Sequence, residues 1–393
     1  MHALRDGALV FEIRCAAGGM RGTEDIVATE DVAVYRQLAS MVVMSSDLGN
    51  LRSFALPYPP LAQRSLDQMV LRCLELGEEP PFSVPGLLDW CRRRPAGDRV
   101  FAVPAGLLEA DATLVHPVGV MPTRTCLELT SHEQRGGVEQ EARSLLEELV
   151  GRCKDAEQYS RSRQFLAQHA VVHQQDRFSR GWSKAVWTRV RDLYQPLPES
   201  LVVSGRFLRC GTCGLPALIG GRRAPEHGAP IAGPQTWCEG ERCPAGERME
   251  LIREPEQVML LRRSLRVFLA LPFAVERLGL ASLTAFGIGY EAVPGELGSY
   301  LLHGPGLRSC SAHFYDRVQP VLLAGRCVES AGNLPGPAIV VVPEWSAGSV
   351  DFRRAFAAAL PEALRSRVLL GSPQDLARTI HEHLTDDRKG VHA

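Results

Sequence analysis

Four cysteines near the middle of the chain have the spacing of metal ligands. They form a Cys-x2-Cys pair, Cys210 and Cys213, and a Cys-x4-Cys pair, Cys238 and Cys243, with 24 residues between the pairs. Two cysteine pairs at such spacing are typical of a zinc ribbon, in which four thiolates surround one Zn²⁺ tetrahedrally. Because four thiolates leave no open position for water or substrate, we predict a structural zinc here. The alternative is four free or disulfide-bonded cysteines.

The segment between the two pairs is rich in glycine, proline and arginine. Such a segment buries little apolar surface and therefore needs a metal to hold its shape. Its adjacent arginines, Arg222 and Arg223, are candidates for a contact with DNA or with a protein partner.

The stretch 177–194 is a second candidate site, because basic and aromatic residues alternate in it. Between residues 155 and 210, nine basic residues stand against five acidic ones. Arginines neutralise phosphates and aromatic rings stack on bases, so the stretch is a candidate nucleic-acid surface. The alternative is a core helix with the apolar stripe Val186, Trp187 and Val190 and with solvated arginines. The residues predicted to contact nucleic acid are Arg177, Arg180, Trp182, Lys184 and Arg191.

An arginine-rich helix is predicted to begin at Pro255, after the second cysteine pair. Its apolar residues fall on one face, which turns Arg262 and Arg266 towards solvent as further candidates for nucleic-acid contacts. Pro272 interrupts this helix, and the helix that follows carries Glu276.

The N-terminal half of the chain is predicted to be mostly helical. Within 137–173, the apolar spacing predicts two helices, the second of which carries His169 and His173 four residues apart. A half-buried or solvated histidine pair is the preferred interpretation over a metal site.

The end of the chain has the pattern of an α/β domain. It consists of an apolar β-branched strand at 338–342, a helix at 351–364, a strand at 367–370 and a helix from Ser372 to about 384. This order predicts a parallel or mixed sheet. Residues 287–310 before it are glycine-rich and poorly patterned.

Composition limits what the chain can be. A length of 393 residues allows two or three domains, and a net charge of −1 indicates neither nucleic acid nor membrane as a partner. Eleven cysteines are too few for a disulfide scaffold. No apolar run reaches the roughly 18 residues of a membrane helix and no signal-peptide pattern occurs, so we expect a soluble, cytoplasmic protein with no membrane partner.

Several short motifs follow one another in a fixed order after residue 155. They are a Tyr-x-Pro-x-Pro-Glu-Ser-Leu-like segment at 194–201, the cysteine ribbon, the arginine helix at 258–269, Pro272 with Glu276, a Pro-x-Leu-Leu-Ala segment at 320–324 and a Val-Val-Pro strand end at 341–343. This order resembles the restriction-endonuclease-related proteins that accompany prokaryotic PIWI proteins of the pPIWI-RE type in bacterial defence modules. The resemblance covers roughly residues 155–384.

The resemblance implies a nuclease core of the PD-(D/E)xK type. In such a core a helix glutamate and two acidic strand residues hold divalent metals that activate a water, and a lysine polarises that water. In the family pattern an Asp-x-Lys precedes the Pro-x-Leu-Leu-Ala segment, but here His313 stands at the aspartate and Tyr315 at the lysine. None of the chain's three lysines lies within 251–384, so this region contains no Asp/Glu-x-Lys motif.

We therefore predict an α+β multidomain protein whose restriction-endonuclease-like domain is degenerate. If that domain is active, the resemblance implies Mg²⁺ or Mn²⁺ as cofactor and Glu276, His313 and Asp316 as catalytic residues. The alternative is that these three are ordinary polar residues of the surface or of a helix. The predicted parts are a mostly helical domain at 1–200, the zinc ribbon at 201–250, the α/β domain at 251–385 and a tail at 386–393.

Three functions stay open at the level of the sequence. The first is a subunit of an anti-phage and anti-plasmid defence system, a nuclease-like protein that binds DNA and acts with a PIWI-type protein or a helicase. The second is an active metal-dependent DNA endonuclease with a rearranged site. The third is a zinc-ribbon scaffold that binds proteins and no nucleic acid. Cleavage separates the first two, and DNA binding separates the first from the third.

Overall fold

The computed structural model describes residues 30–48, 56–101, 103–118, 121–131, 137–173, 176, 182–219, 236–243, 249–307, 309–331 and 336–384. Within these ranges the chain forms a mixed α+β protein with three β-sheets, which confirms the predicted fold class in its general form. The predicted nucleic-acid contacts Arg177, Arg180, Arg222 and Arg223 lie outside the described residues, as does the tail at 386–393.

Helices fill most of the described chain before residue 170. Ser83 caps one of them, its hydroxyl accepting the amide of Gly86 at 3.2 Å. Another ends at Gly77, whose φ of +67° is the left-handed conformation that favours glycine. These helices are α1 (Glu30–Leu48), α2 (Pro60–Leu76), α3 (Val84–Arg93), α4 (Arg124–Ser131), α5 (Val138–Arg152) and α6 (Ala156–Gln168).

The prediction that His169 and His173 share a helix is wrong. Helix α6 ends at Gln168, and the chain continues as strand β1 (Val171–His173). The β-branched residues of β1 favour an extended chain, and β1 pairs antiparallel with β8 (Val258–Leu261). A short helix, α7 (Lys184–Val190), follows in the chain before the next strand.

Strand β8 replaces the first turns of the predicted arginine helix. It lies between β1 and β2 (Tyr194–Pro196) in a three-stranded antiparallel sheet. A short apolar run such as Val258–Leu261 fits a buried strand and a buried helix equally well by periodicity, and pairing on both edges decides for the strand. The helix proper, α8, begins at Arg263 and continues as a π-helical turn over Arg266–Ala270.

The cysteine region forms a separate small sheet. Strand β4 is central in it and pairs antiparallel with β3, β5 and β7, while β6 pairs with β5. The strands are β3 (Val202–Val203), β4 (Arg206–Cys210), β5 (Pro216–Ile219), β6 (Thr236–Cys238) and β7 (Met249–Ile252).

The C-terminal sheet has five strands in the order β13-β12-β11-β10-β9. Strands β9 (Gly289–Ala292), β10 (Ser299–His303) and β11 (Cys310–Phe314) form an antiparallel meander. Strands β12 (Ala338–Val341) and β13 (Val368–Gly371) extend it in parallel, which confirms the predicted parallel pairing. Residues 287–310, which show no clear pattern in the sequence, supply β9 and β10.

Helices cover both faces of this sheet. On one face lie α9 (Phe273–Ala285) and α14 (Leu376–Leu384). The other face belongs to the large core cluster that extends back to Val32 in α1. That face is covered by α10 (Pro320–Ala331), α11 (Glu344–Gly348), α12 (Val350–Ala359) and α13 (Glu362–Arg365). The predicted helix at 351–364 is therefore divided into two helices, α12 and α13. The predicted domain boundaries stay predictions.

One helical stretch of the described chain, Arg263–Ala285, is long and apolar enough to cross a membrane. Half of its most apolar window is buried inside the protein, and Arg266 and Glu276 within it are buried and ion-paired. This is the pattern of a core helix in a globular protein.

Candidate functional site

The four predicted zinc ligands converge on one point. The Sγ atoms of Cys210, Cys213, Cys238 and Cys243 all lie within 4.8 Å of one another, and none of the four forms a disulfide. Four sulfurs held tetrahedrally at about 2.3 Å from a central ion lie about 3.8 Å from one another, which is compatible with the spacing of these Sγ atoms. The set could therefore hold a metal ion such as zinc, and the soft thiolate donors favour zinc over magnesium.

Two glycines let the cysteine loops close around this point. Gly214 follows the first pair with a φ of +74°. Gly240 lies inside the second pair, and a Cβ there would stand 3.2 Å from the Sγ of Cys213 and 3.3 Å from that of Cys243. The Gly240 amide also donates to the Cys238 sulfur at 3.4 Å, as amides around bound thiolates do.

Hydrogen bonds among the four thiols shift their pKa values in opposite directions. Hydrogen bonds from the thiols of Cys213, Cys238 and Cys243 lower the pKa of Cys210. The ionised Cys210 in turn raises the pKa of Cys213 and of Cys238. A divalent cation at the centre would stabilise the ionised form of all four sulfurs, so metal binding would be linked to the shape of this region.

The second cysteine pair is anchored to the rest of the protein by its two glutamates. Glu239 accepts two hydrogen bonds from Arg266, at 2.6 and 2.8 Å, inside the protein. Glu241, with a φ of +53°, accepts the backbone amide of Arg124 at 2.7 Å. Burial raises the pKa of Glu241 to about 7. We call Cys238–Cys243 the second knuckle, and these contacts fix it between α4 and α8.

The predicted nucleic-acid contact at Arg266 is contradicted by this arrangement. Only 2% of Arg266 is exposed, because its guanidinium is directed inward to Glu239 and to the carbonyl of Leu261. Arg262 is half exposed and lies 3.6 Å from Glu141.

The aromatic residues of the basic-aromatic stretch pack on one another. Trp182 lies 5.0 Å edge-on from Phe165 and 5.9 Å from Trp187, between ring centroids. Lys184 and Arg191 are exposed, and Arg191 lies 3.6 Å from Asp192. Trp182 therefore belongs to an aromatic cluster, while the two basic residues stay directed towards solvent, and their contact with nucleic acid stays a prediction.

Glu276 lies on α9 and faces the sheet, but its carboxylate is already occupied. Arg163 on α6 donates to both carboxylate oxygens at 2.7 Å, and the Tyr300 hydroxyl donates to Oε1 at 2.7 Å. Both members of the ion pair are buried. Burial lowers the pKa of Arg163, but the Glu276 carboxylate has the larger effect and raises that pKa above its usual value.

His313 lies on the opposite face of the sheet from this ion pair. Tyr300, which contacts Glu276, pairs across the strands with Ala312, and neighbouring residues of a strand point to opposite faces. The imidazole of His313 is instead held between two hydroxyls, with Nδ1 2.9 Å from Ser299 and Nε2 2.9 Å from Ser311. Burial lowers the pKa of His313 to about 4, so it is neutral at pH 7.

Asp316 lies in different surroundings from both Glu276 and His313, next to Arg124. Arg124 donates to its backbone carbonyl and lies 3.5 Å from its carboxylate. The structure thus does not bring Glu276, His313 and Asp316 together, and their catalytic roles stay a prediction. In the described parts of the chain, the four cysteines are the one group of three or more His, Cys, Asp or Glu residues spaced to hold an ion. Glu276, His313 and Asp316, lying in three separate surroundings, do not fit a site for a catalytic Mg²⁺ or Mn²⁺.

A buried ionic network joins the N-terminal helices to the C-terminal sheet. Glu139 on α5 contacts Arg317 at 2.6 Å, Arg326 at 3.0 Å and Arg143 at 3.1 Å. Burial by itself raises the pKa of Glu139, but the three guanidinium groups outweigh it and lower the pKa to about 2. The two halves of the chain are therefore joined by charges as well as by apolar contacts.

Sequence reasoning missed Arg163, Glu139 and the two knuckle glutamates. A signal for Arg163 exists, because it lies on the buried stripe of α6 at four residues from Tyr159 and three from Leu166. A charged residue on a buried helix face requires a buried partner. Nothing in the sequence pattern names Glu276 as that partner.

The fold and the cysteine site define the class: a mixed α+β protein with a four-cysteine metal-site candidate. Residues 34–173 match the family model described as pPIWI_RE three-gene island domain Y. The match confirms the predicted resemblance to pPIWI-RE-associated proteins. It lies largely before 155–384, where the motifs were found. No curated protein and no solved structure matches the chain.

Proposed function

We propose that the protein is a cytoplasmic, nuclease-like subunit of a prokaryotic defence system against phages and plasmids. It binds DNA without cutting it and acts with a PIWI-type protein or a helicase. The match to the pPIWI_RE island domain supports the defence role. The observation that carries the loss of cleavage is the two-fold hydrogen-bonded ion pair between Arg163 and Glu276.

The ion pair explains the loss of cleavage by charge. A guanidinium carries the positive charge that a metal would bring, and it neutralises the carboxylate from 2.7 Å. A divalent cation at Glu276 has to displace Arg163, which leaves a buried arginine without its partner. Breaking a buried ion pair in this way costs about 3–5 kcal/mol. The metal site of a nuclease is therefore replaced by an internal ion pair.

A nuclease-like origin of the C-terminal part is supported by where the implied positions fall. The glutamate implied by the resemblance lies on α9, which packs against the sheet. The position implied for the Asp-x-Lys aspartate lies on β11, at the centre of that sheet. A helix and a central strand are the element types that the resemblance implies, although His313 lies on the face of β11 that is turned away from Glu276.

DNA binding is tested by fluorescence anisotropy with a labelled duplex over a series of salt concentrations. Contacts with about four phosphates predict a log–log slope of about −3 to −4. The double substitution Lys184→Ala with Arg191→Ala removes two exposed charges and is expected to reduce the slope by about 2. Arg354→Ala, an exposed arginine of α12, is the matched control and leaves the slope unchanged.

The scaffold without nucleic-acid binding is the second candidate, and Arg266 favours it. This arginine, one of the predicted DNA contacts, is used inside the protein to fix the second knuckle. Binding of a protein partner together with salt-insensitive or absent DNA binding would favour the scaffold over the DNA-binding subunit.

A further inference from the structure

A cavity of about 220 Å³ lies where α1, α5, β2 and α8 meet. Three arginine side chains line it, those of Arg262, Arg263 and Arg266, together with one carboxylate, that of Glu141. Three cations and one anion around a cavity favour a negatively charged ligand. Clefts for drug-sized molecules have volumes of about 300–1,000 Å³, so this smaller cavity suits a group of the size of a phosphate.

Two of the three arginines are mostly buried and lie near the same carboxylate. Glu239 accepts hydrogen bonds from Arg266 at 2.6 and 2.8 Å and lies 3.9 Å from the Nε of Arg263. Only 3% of the Arg266 side chain is exposed, against 16% for Arg263. Arg266 therefore contributes positive charge to the wall, while Arg263 and the half-exposed Arg262 are accessible to a ligand.

Arg263 is held in a fixed orientation by uncharged groups. Its Nη1 donates to the hydroxyl of Ser46 on α1 at 2.7 Å, and this hydroxyl donates to the carbonyl of Val43 at 2.7 Å. These hydrogen bonds orient the guanidinium without neutralising its charge. A planar guanidinium that is already oriented matches the oxygens of a phosphate, which it binds through two parallel hydrogen bonds.

The carboxylate in the lining opposes an anion only weakly. Glu141 lies 3.6 Å from Arg262, and the two side chains are 47% and 46% exposed. Ion pairs between half-exposed side chains are weak, because water screens them and both side chains lose freedom. A phosphate carries up to about two negative charges, so we expect it to displace Glu141 from Arg262.

We propose that this cavity binds one phosphate group, with its oxygens between Arg262 and Arg263. Ser200, in the 3₁₀ turn Glu199–Leu201, adds a hydroxyl to the lining. A free phosphate ion and a backbone phosphate of a nucleic-acid strand share this chemistry. The strand as source rests on the proposed DNA binding, whereas the free ion does not.

Calorimetric titration of the zinc-loaded protein with inorganic phosphate, at an ionic strength held constant with sodium chloride, tests the cavity itself. Arg262→Gln is expected to weaken binding about tenfold, the effect of losing a hydrogen bond to a charged group. Glu141→Gln is expected to strengthen binding about threefold, because it removes the competing carboxylate. Glu148→Gln, at a 60% exposed glutamate of the same helix α5, is the matched control and leaves affinity unchanged.

Fluorescence anisotropy with a labelled duplex separates the two sources. A log–log salt slope that Arg262→Gln reduces by about 1 identifies a strand phosphate. Phosphate binding with a slope that Arg262→Gln leaves unchanged identifies the free ion. Phosphate binding by a protein that binds no duplex supports the cavity and overturns the proposed DNA binding.

Two results would overturn the phosphate site. The first is failure of phosphate to bind at millimolar concentration together with a duplex slope that is unchanged in Arg262→Gln. The second is phosphate binding that is insensitive to Arg262→Gln, or that Glu141→Gln and Glu148→Gln strengthen equally, since either would place the ion elsewhere on the protein.

Discussion

At the scale of single residues, one buried ion pair accounts for the proposed loss of nuclease activity. The family resemblance implies a glutamate on a helix at this position, and Glu276 on α9 matches it. Arg163 from the N-terminal half, however, binds both carboxylate oxygens of Glu276. The proposed loss of cleavage therefore rests on this ion pair as well as on the missing lysine.

Arg163 and Glu276 are expected to depend on each other for stability. Arg163→Met or Glu276→Gln alone leaves a buried charge without its partner and is expected to cost about 3–5 kcal/mol of unfolding free energy. The double variant is expected to cost less than the sum, with a coupling energy of about 1–3 kcal/mol, measured by urea denaturation.

The matched control is the exposed pair Arg161 and Glu157 on the same helix α6, with side chains 67% and 72% exposed. Arg161→Met is expected to change stability by less than about 1 kcal/mol. Equal effects of Arg161→Met and Arg163→Met would contradict the buried pair.

His313 is expected to make stability fall in mild acid. Burial lowers its pKa to about 4 from 6.5, and the cations Arg326 and Arg143 add to this while Glu296 opposes it. The unfolded chain therefore takes up a proton below pH 6.5 that the folded chain refuses until about pH 4. Stability present above pH 6.5 is lost on acidification, by about 2 kcal/mol between pH 6.5 and 5.

The measurement is urea denaturation at both pH values for the wild type, for His313→Gln and for the exposed control His381→Gln. The difference between the two pH values is expected to shrink only in His313→Gln. A loss that is unchanged in His313→Gln would show that other groups cause it.

At the scale of elements, the cysteine region is a candidate metal site that also connects the two halves of the chain. Its second knuckle carries Glu239, which binds Arg266 of α8, and Glu241, which binds the start of α4. Because the same six residues supply two cysteines to the metal, occupancy of the site and attachment of the knuckle are expected to change together.

Purified protein is expected to contain about one zinc per chain, measured by mass spectrometry of the metal. The double substitution Cys210→Ser with Cys213→Ser is expected to abolish zinc and to lower the melting temperature, as is treatment with a strong chelator. Cys153→Ser, at a free cysteine outside the site, is the control. Zinc that persists in the Cys210→Ser, Cys213→Ser protein would contradict the four-cysteine site.

The elements differ in how far the sequence predicts them. Strand β12 was predictable because its continuous β-branched run has one interpretation, and the four cysteines were predictable because their spacing alone indicates a ligand set. Strand β8 was not predictable, because its four apolar residues fit a buried strand or a buried helix. Only its pairing with β1 and β2 identifies it as a strand. The Arg163–Glu276 contact was not, because it joins residues 113 positions apart.

At the scale of the whole molecule, helices of the N-terminal half contact the C-terminal part through buried ion pairs. Arg163 and Glu139 come from helices α6 and α5 within the matched residues 34–173, and both bind residues of the C-terminal part. The residues matched by the family model therefore supply the arginine that binds the Glu276 carboxylate.

Cleavage tests the central claim most directly. Zinc-loaded wild type and the Glu276→Ala variant are incubated with supercoiled plasmid and with oligonucleotides in Mg²⁺ or Mn²⁺, and the products are separated on gels. Because Arg163 occupies the Glu276 carboxylate, we expect no cutting by the wild type above the level of the Glu276→Ala variant. Robust cutting by the wild type that Glu276→Ala abolishes would contradict the account.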